Sequence, residues 1–152
     1  MKTTFKKFKE KILARADSKG ACIDEFERGQ KANRKQALKV IKDNMAWLYQ
    51  GKVITIDDLK FFSSKELLDA GIYINKKVEV KDAYVVALGN STVEAWDNST
   101  VKAWDNSTVE ALGNSYINSK NGKHEISDYA ICRDYYKDII YIKKGKFKIV
   151  KI

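Results

Sequence analysis

The sequence predicts an α+β protein: a small N-terminal helical bundle over residues 1–71, a short β-solenoid with 16 residues per coil over 72–134, and a C-terminal β-hairpin cap over 135–152. Three observations predict it. Before Gly71 the apolar residues recur at spacings of three and four, from Ile72 onward they alternate, and four near-identical octapeptides run from Tyr84 to Ser115.

The helical elements come first. Phe5, Phe8, Ile12 and Ala16 form the apolar stripe of an amphipathic helix that Gly20 stops, with Lys6, Lys7, Lys9 and Lys11 mostly to its sides. A second helix is expected from Ala21 to about Lys31, around Cys22 and Phe26. A third opens on Asn33 with Gln36, a capping-box pair, and carries Leu38, Ile41, Met45 and Leu48 on one face as far as Gly51. Thr55 can cap a turn beginning Ile56-Asp57-Asp58, and Ser63 with Glu66 caps a helix that ends at Gly71.

The β-region begins with Ile72-Tyr73-Ile74 and Val78-Glu79-Val80. The octapeptides follow: Tyr84–Ser91, Thr92–Ser99, Thr100–Ser107 and Thr108–Ser115, with a decaying copy from Tyr116. Each holds a five-residue β-type run and a Gly/Asp-Asn-Ser turn, residue types that tolerate positive φ or close a turn locally. Alternation puts Val85, Val93, Val101, Val109 and Ile117 on one side with Ala87, Ala95, Ala103 and Ala111. So small an apolar face suits two sheets packed closely together.

Eight residues cannot close a coil, so two units make one, and like residues then stack: Val93 on Val109, Ala95 on Ala111. Two to three coils are expected from the repeat. The alternative is an antiparallel β-meander with Asp-Asn-Ser hairpin loops, which would set Glu94 and Glu110 across from Lys102. Beyond the repeat, Ile139 to Ile152 alternates on both sides of Lys144-Gly145 and predicts a hairpin that caps the stack.

Formal net charge is +9. Residues 1–75 carry 16 Lys and Arg against 10 Asp and Glu, 76–115 carry 4 against 6, and 116–152 carry 9 against 4. The repeat is thus the acidic waist of a basic chain, and the basic ends favour an acidic partner, nucleic acid among the possibilities. The two cysteines, Cys22 and Cys132, form no CxxC pair and fit a reducing, cytoplasmic setting. No stretch approaches the length of a signal peptide's apolar core or a membrane span, so no membrane partner is expected. The three Asn-Ser-Thr tripeptides at Asn90, Asn98 and Asn106 are expected to be turn residues.

No catalytic constellation, cofactor motif or metal-ligand spacing is present, and a non-enzymatic protein without cofactor is expected. The single histidine, His124, lies in the loop-like Asn121-Gly-Lys-His stretch, where an exposed and idle side chain is expected; the cysteines are expected to be small hydrophobes. The functional signal is the outward row of the repeat: Thr92, Glu94 and Trp96, then Thr100, Lys102 and Trp104, then Glu110. Tryptophans on rigid strands are favoured at protein interfaces. Lys143, Lys144 and Lys146 of the hairpin join them as candidate partner-binding residues.

Tandem units such as Asn-Ser-Thr-Val-Glu-Ala-Trp-Asp resemble the short β-solenoid arrays of small bacteriophage and mobile-element proteins, over Tyr84 to Ser115 only. The resemblance implies a protein-binding inhibitor of a host defence system, such as a CRISPR-Cas nuclease, with a bacterial protein or ribonucleoprotein as partner. A basic nucleic-acid-binding accessory protein and a structural or adhesive solenoid are the alternatives.

Overall fold

The computed structural model describes residues 4–120, 123–134, 137 and 139–142. The chain divides into two compact units, Met1–Ile72 and Tyr73–Ile152.

The first unit is helical. Helix α1 (Phe5–Ser18) starts at Thr4, whose side chain accepts from the Lys7 amide, and buries Phe8, Ile12 and Ala16. Helix α2 covers Ile23–Lys31. The single helix expected from Asn33 to Gly51 is two, α3 (Arg34–Asp43) and α4 (Met45–Gln50). The break falls at Asn44, whose side chain donates both to the Val40 carbonyl and to Glu25, 2.7 Å away. A short amide that competes for backbone partners favours a helix end over a helix interior. Leu38, Ile41, Met45 and Leu48 are nevertheless all buried. Helices α5 (Ile56–Leu59) and α6 (Ser64–Asp69) each open on a complete capping box, Thr55 with Asp58 and Ser63 with Glu66. Phe8 stacks on Phe61 at 4.6 Å and meets Phe62 edge-on, and the Arg34 guanidinium lies over the Phe61 ring at 4.4 Å while pairing with Glu66.

The second unit is a β-solenoid of about four turns that ends in an antiparallel hairpin. Its strands are β1 (Ile72–Ile74), β2 (Lys77–Lys81), β3 (Tyr84–Leu88), β4 (Thr92–Trp96), β5 (Thr100–Ala103), β6 (Thr108–Ala111), β7 (Tyr116–Ser119), β8 (Lys123–Ile126), β9 (Ile131–Asp134) and β10 (Ile139–Ile142). Odd-numbered strands and β10 form a six-stranded sheet in the order β1-β3-β5-β7-β9-β10; even-numbered strands form the four-stranded sheet β2-β4-β6-β8. From β2 to β9, strands two apart in sequence pair in parallel, and β9 pairs antiparallel with β10. The meander is thereby excluded: Glu94 pairs in register with Glu79 and Glu110, and Lys102 with Val86 and Asn118.

The stack is taller than the four octapeptides alone require, because Lys77–Lys81 and the strands from Tyr116 onward continue it in altered sequence. Register advances by 16 residues at Val85↔Val101 and Val93↔Val109, but by 15 at Val78↔Val93 and Ile117↔Cys132. The deficit before Tyr84 lies at a shortened corner, where Asp82-Ala83 stands in place of Asp97-Asn98-Ser99. There Ser99 Oγ accepts from the Ala83 amide while donating to the Trp96 carbonyl at 2.7 Å.

The interior is an apolar column of Val80, Val85, Ala87, Val93, Ala95, Val101, Ala103, Val109, Ala111 and Ile117, with Ala130 and Cys132 at its end. The corner serines turn inward: Ser91, Ser99, Ser107 and Ser115 are buried, and each donates to the carbonyl three residues back at 2.7–2.8 Å. Buried hydroxyls are thus satisfied where the chain turns, as burial away from solvent requires. Seven corners begin with a residue of positive φ: Asn75, Gly89 and Asp105 on one edge, Asp82, Asp97, Gly113 and Asp128 on the other. The Asn and Asp side chains among them join successive coils, as in Asn75 Oδ1 accepting from the Asn90 amide at 2.8 Å and Asp105 from the Gly89 amide at 2.9 Å.

The stack ends in an antiparallel hairpin, as expected, with β10 (Ile139–Ile142) paired to β9 (Ile139↔Asp134, Ile142↔Ile131). The Lys137 amide donates to Asp134 Oδ1 in the connecting turn. The arm expected after Lys144-Gly145 lies outside the described residues.

Candidate binding surface

Successive octapeptides fall on opposite sheets, so the outward residues form two faces. Thr92, Glu94, Trp96 and Glu110 stand on the four-stranded sheet; Thr100 and Lys102 stand on the six-stranded sheet. The two tryptophans differ accordingly. Trp96, at the end of β4, is 43 % exposed, whereas Trp104, just beyond β5, is 5 % exposed. Val86 and Leu88, of outward parity on β3, are buried too. Lys143, Lys144 and Lys146 lie outside the described residues.

The four-stranded sheet carries the more ordered outer surface. Parallel in-register pairing aligns Glu79, Glu94, Glu110 and Glu125 in one rank across all four strands. Neighbouring strands lie about 4.8 Å apart, so the carboxylates stand as close as side-chain splay permits, and like charges so placed oppose the pairing. On the six-stranded sheet the equivalent positions are Val86, Lys102, Asn118 and Arg133, so solenoid geometry does not impose the rank. Thr92 and Thr108 lie in register beside it. Lysines border it at the β2 end: Lys77 Nζ is 4.0 Å from Glu94, and Lys81 Nζ is 3.0 Å from Asp97. On the other sheet Lys102 Nζ lies 5.4 Å over the Tyr84 ring, which occupies that cation within its own face.

Glu79 and Glu125 complete the rank and were not among the residues the repeat singled out. Their signal was available: Lys77-Val-Glu-Val-Lys81 and Lys123-His-Glu-Ile126 are the Thr-Val-Glu-Ala pattern with its flanks changed.

The cysteines and the histidine are also located. Cys132 is buried in the solenoid interior, and burial pushes its thiol up to about 11, so it is not a thiolate at neutral pH. Cys22, by contrast, is exposed. His124 is not in a loop. It is half-buried on β8, with Nε2 hydrogen-bonded to Ser119 Oγ, and burial holds its pKa below the ordinary value in spite of the nearby Asp134 carboxylate. Among the described residues no group of three or more His, Cys, Asp or Glu side chains is arranged to hold a metal ion, and no helix is long and apolar enough to cross a membrane.

No family model, curated protein or solved structure matches this chain. The surface itself therefore carries the functional reading. It presents an acidic rank spaced by strand register, a half-exposed indole and flanking threonines.

Proposed function

We propose that this protein is a non-enzymatic binding module that engages a protein or ribonucleoprotein partner through the outer face of its four-stranded sheet. Trp96, exposed on a rigid strand beside the in-register rank of Glu79, Glu94, Glu110 and Glu125, is the observation that carries the reading. An indole supplies contact area at little entropic cost, and fixed carboxylates supply register against a basic patch on the partner. Net charge of the whole chain points to acidic partners, but on this face the local charge is negative, and contact is decided locally. In the setting that the repeat's resemblance implies, the partner belongs to a bacterial defence complex such as a CRISPR-Cas nuclease, met in the host cytoplasm and disabled by occupancy.

Affinity capture from a nuclease-treated bacterial lysate tests this. Wild-type protein is expected to retain a specific protein partner that Trp96→Ala and Glu94→Lys/Glu110→Lys both lose while circular dichroism of the solenoid is unchanged. Capture that survives both variants would remove the four-stranded face from the account. The second reading, nucleic-acid binding, is favoured by the positive excess in residues 1–75 and 116–152. It predicts direct, steeply salt-dependent binding of single- or double-stranded nucleic acid by the purified protein, and absence of such binding at low salt excludes it.

A further inference from the structure

Three interior rows of the solenoid change chemistry toward its C-terminal end. Val78, Val93 and Val109 are followed in register by His124; Ala87 and Ala103 by Ser119 and then Asp134; Val85, Val101 and Ile117 by Cys132. A column that is otherwise methyl on methyl thus ends in an imidazole, a hydroxyl, a carboxylate and a thiol.

The bonding of His124 is incomplete. Nε2 is joined to Ser119 Oγ, while Nδ1 is shut off from solvent and has no hydrogen-bond partner among the described residues. A neutral ring carries one N–H, so one ring nitrogen is satisfied by Ser119 and the other is a modest burden. A protonated ring carries two N–H donors and a charge; the second donor would then be buried without an acceptor.

The groups that face His124 do not supply one. The adjoining cavity, of about 420 Å³, is also lined by Cys132 and Asp134 of β9, Lys137 of the turn and Tyr141 of β10, with isoleucines completing the wall. Cys132 is neutral, and Asp134, whose own partner is Lys137 at 3.8 Å, accepts nothing from Nδ1 and favours the charged ring less than burial disfavours it. From β6 the neighbour in register is Val109, and from β7 the contact is Ser119.

We propose that His124 is an acid-sensitive latch on the last coil: neutral, it closes the coil, and protonated, it releases β8 and the β9–β10 hairpin while the Val/Ala coils before them stay folded. The sign follows from linkage. With the closed-state pKa below the ordinary 6.5, the open state binds more protons, so the coil loses stability as pH falls below 6.5.

His124 is the only histidine, so its ring resonance in the full-length protein can be titrated by NMR without assignment ambiguity. Hydrogen exchange, corrected for intrinsic rates, is compared between about pH 7.5 and about pH 5. The expected result is a titration midpoint below 6.5, with loss of protection at acid pH over β8, β9 and β10 (123–126, 131–134 and 139–142) and retention over 84–111. His124→Val, which restores the valine of that row, should keep protection at both pH values. A midpoint at or above 6.5, equal loss in all coils, or equal loss in His124→Val would overturn the proposal; should the variant not fold, the wild-type titration decides alone.

Discussion

Replacing Gly89 by alanine is expected to destabilise the solenoid by about 2–3 kcal/mol, and the origin of that figure can be dissected. Gly89 begins a corner at φ +67°, where a Cβ costs about 1–2 kcal/mol. That Cβ would also lie 2.3 Å from Asn75 Oδ1. Asn75 must then swing aside and give up its bond to the Asn90 amide, worth about 1 kcal/mol. In an Asn75→Gly background both the clash and the bond are gone, so Gly89→Ala should there cost only the backbone part, about 1–2 kcal/mol. Urea unfolding followed by Trp96 and Trp104 fluorescence, with Trp47 replaced by Phe, measures all four corners of the cycle. Equal costs in the two backgrounds, or a neutral Gly89→Ala, would refute the inter-coil role assigned to Asn75.

Val101→Ala, at a fully buried position between Val85 and Ile117, should cost about 2–3 kcal/mol through lost transfer energy and a residual void, whereas the outward Thr100→Ala should stay within about 0.5 kcal/mol in the same urea assay. Trp104→Ala should cost about 3–5 kcal/mol, and Trp96→Ala much less, which separates the buried indole from the exposed one. Acid should weaken the helical unit in a range of its own. The hydrogen bond from Arg34, with the Ser63 amide, holds the Glu66 carboxyl down to about 2; at Asp58 burial pushes the carboxyl up, but bonds from Lys11, Thr55 and Arg15 outweigh it. The depressed Glu66 value means stability present above about pH 4.5 and lost as pH falls toward about 2; Asp58 acts in the same direction, and Glu66→Gln should flatten the Glu66 part of that loss when unfolding is followed at Trp47.

The repeat was legible because each of its features is local. Alternation placed the valines and alanines inward, the Asn-Ser corners marked the turns, and identity of units implied parallel stacking, since stacked coils set like on like. The caps Asn33, Thr55 and Ser63 were read from single residues for the same reason. Three things were not legible. The break at Asn44 depends on Glu25, nineteen residues away. The height of the stack depends on strands such as Lys77–Lys81 that keep the period but change the residues. His124 looked like a loop residue because Asn121-Gly-Lys precedes it, while its environment is set by register with Val109 and by Ser119. On the candidate surface, the sequence named Trp96, Glu94 and Glu110, but the separation of Trp96 from Trp104 onto opposite sheets depends on the coil closing after two octapeptides.

Parallel in-register stacking, at 15 or 16 residues per coil, underlies the rank of glutamates, the buried column and the latch alike. Engineered disulfides test it most directly, because a bridge forms only where Cα atoms lie about 4.4–6.8 Å apart. In a Cys22→Ser background, oxidation should join Glu94→Cys to Glu110→Cys, which are register partners on β4 and β6, and should leave Glu94→Cys with Lys102→Cys unlinked on opposite sheets. Linkage of 94 to 102 with none between 94 and 110 would contradict the solenoid and everything built on it.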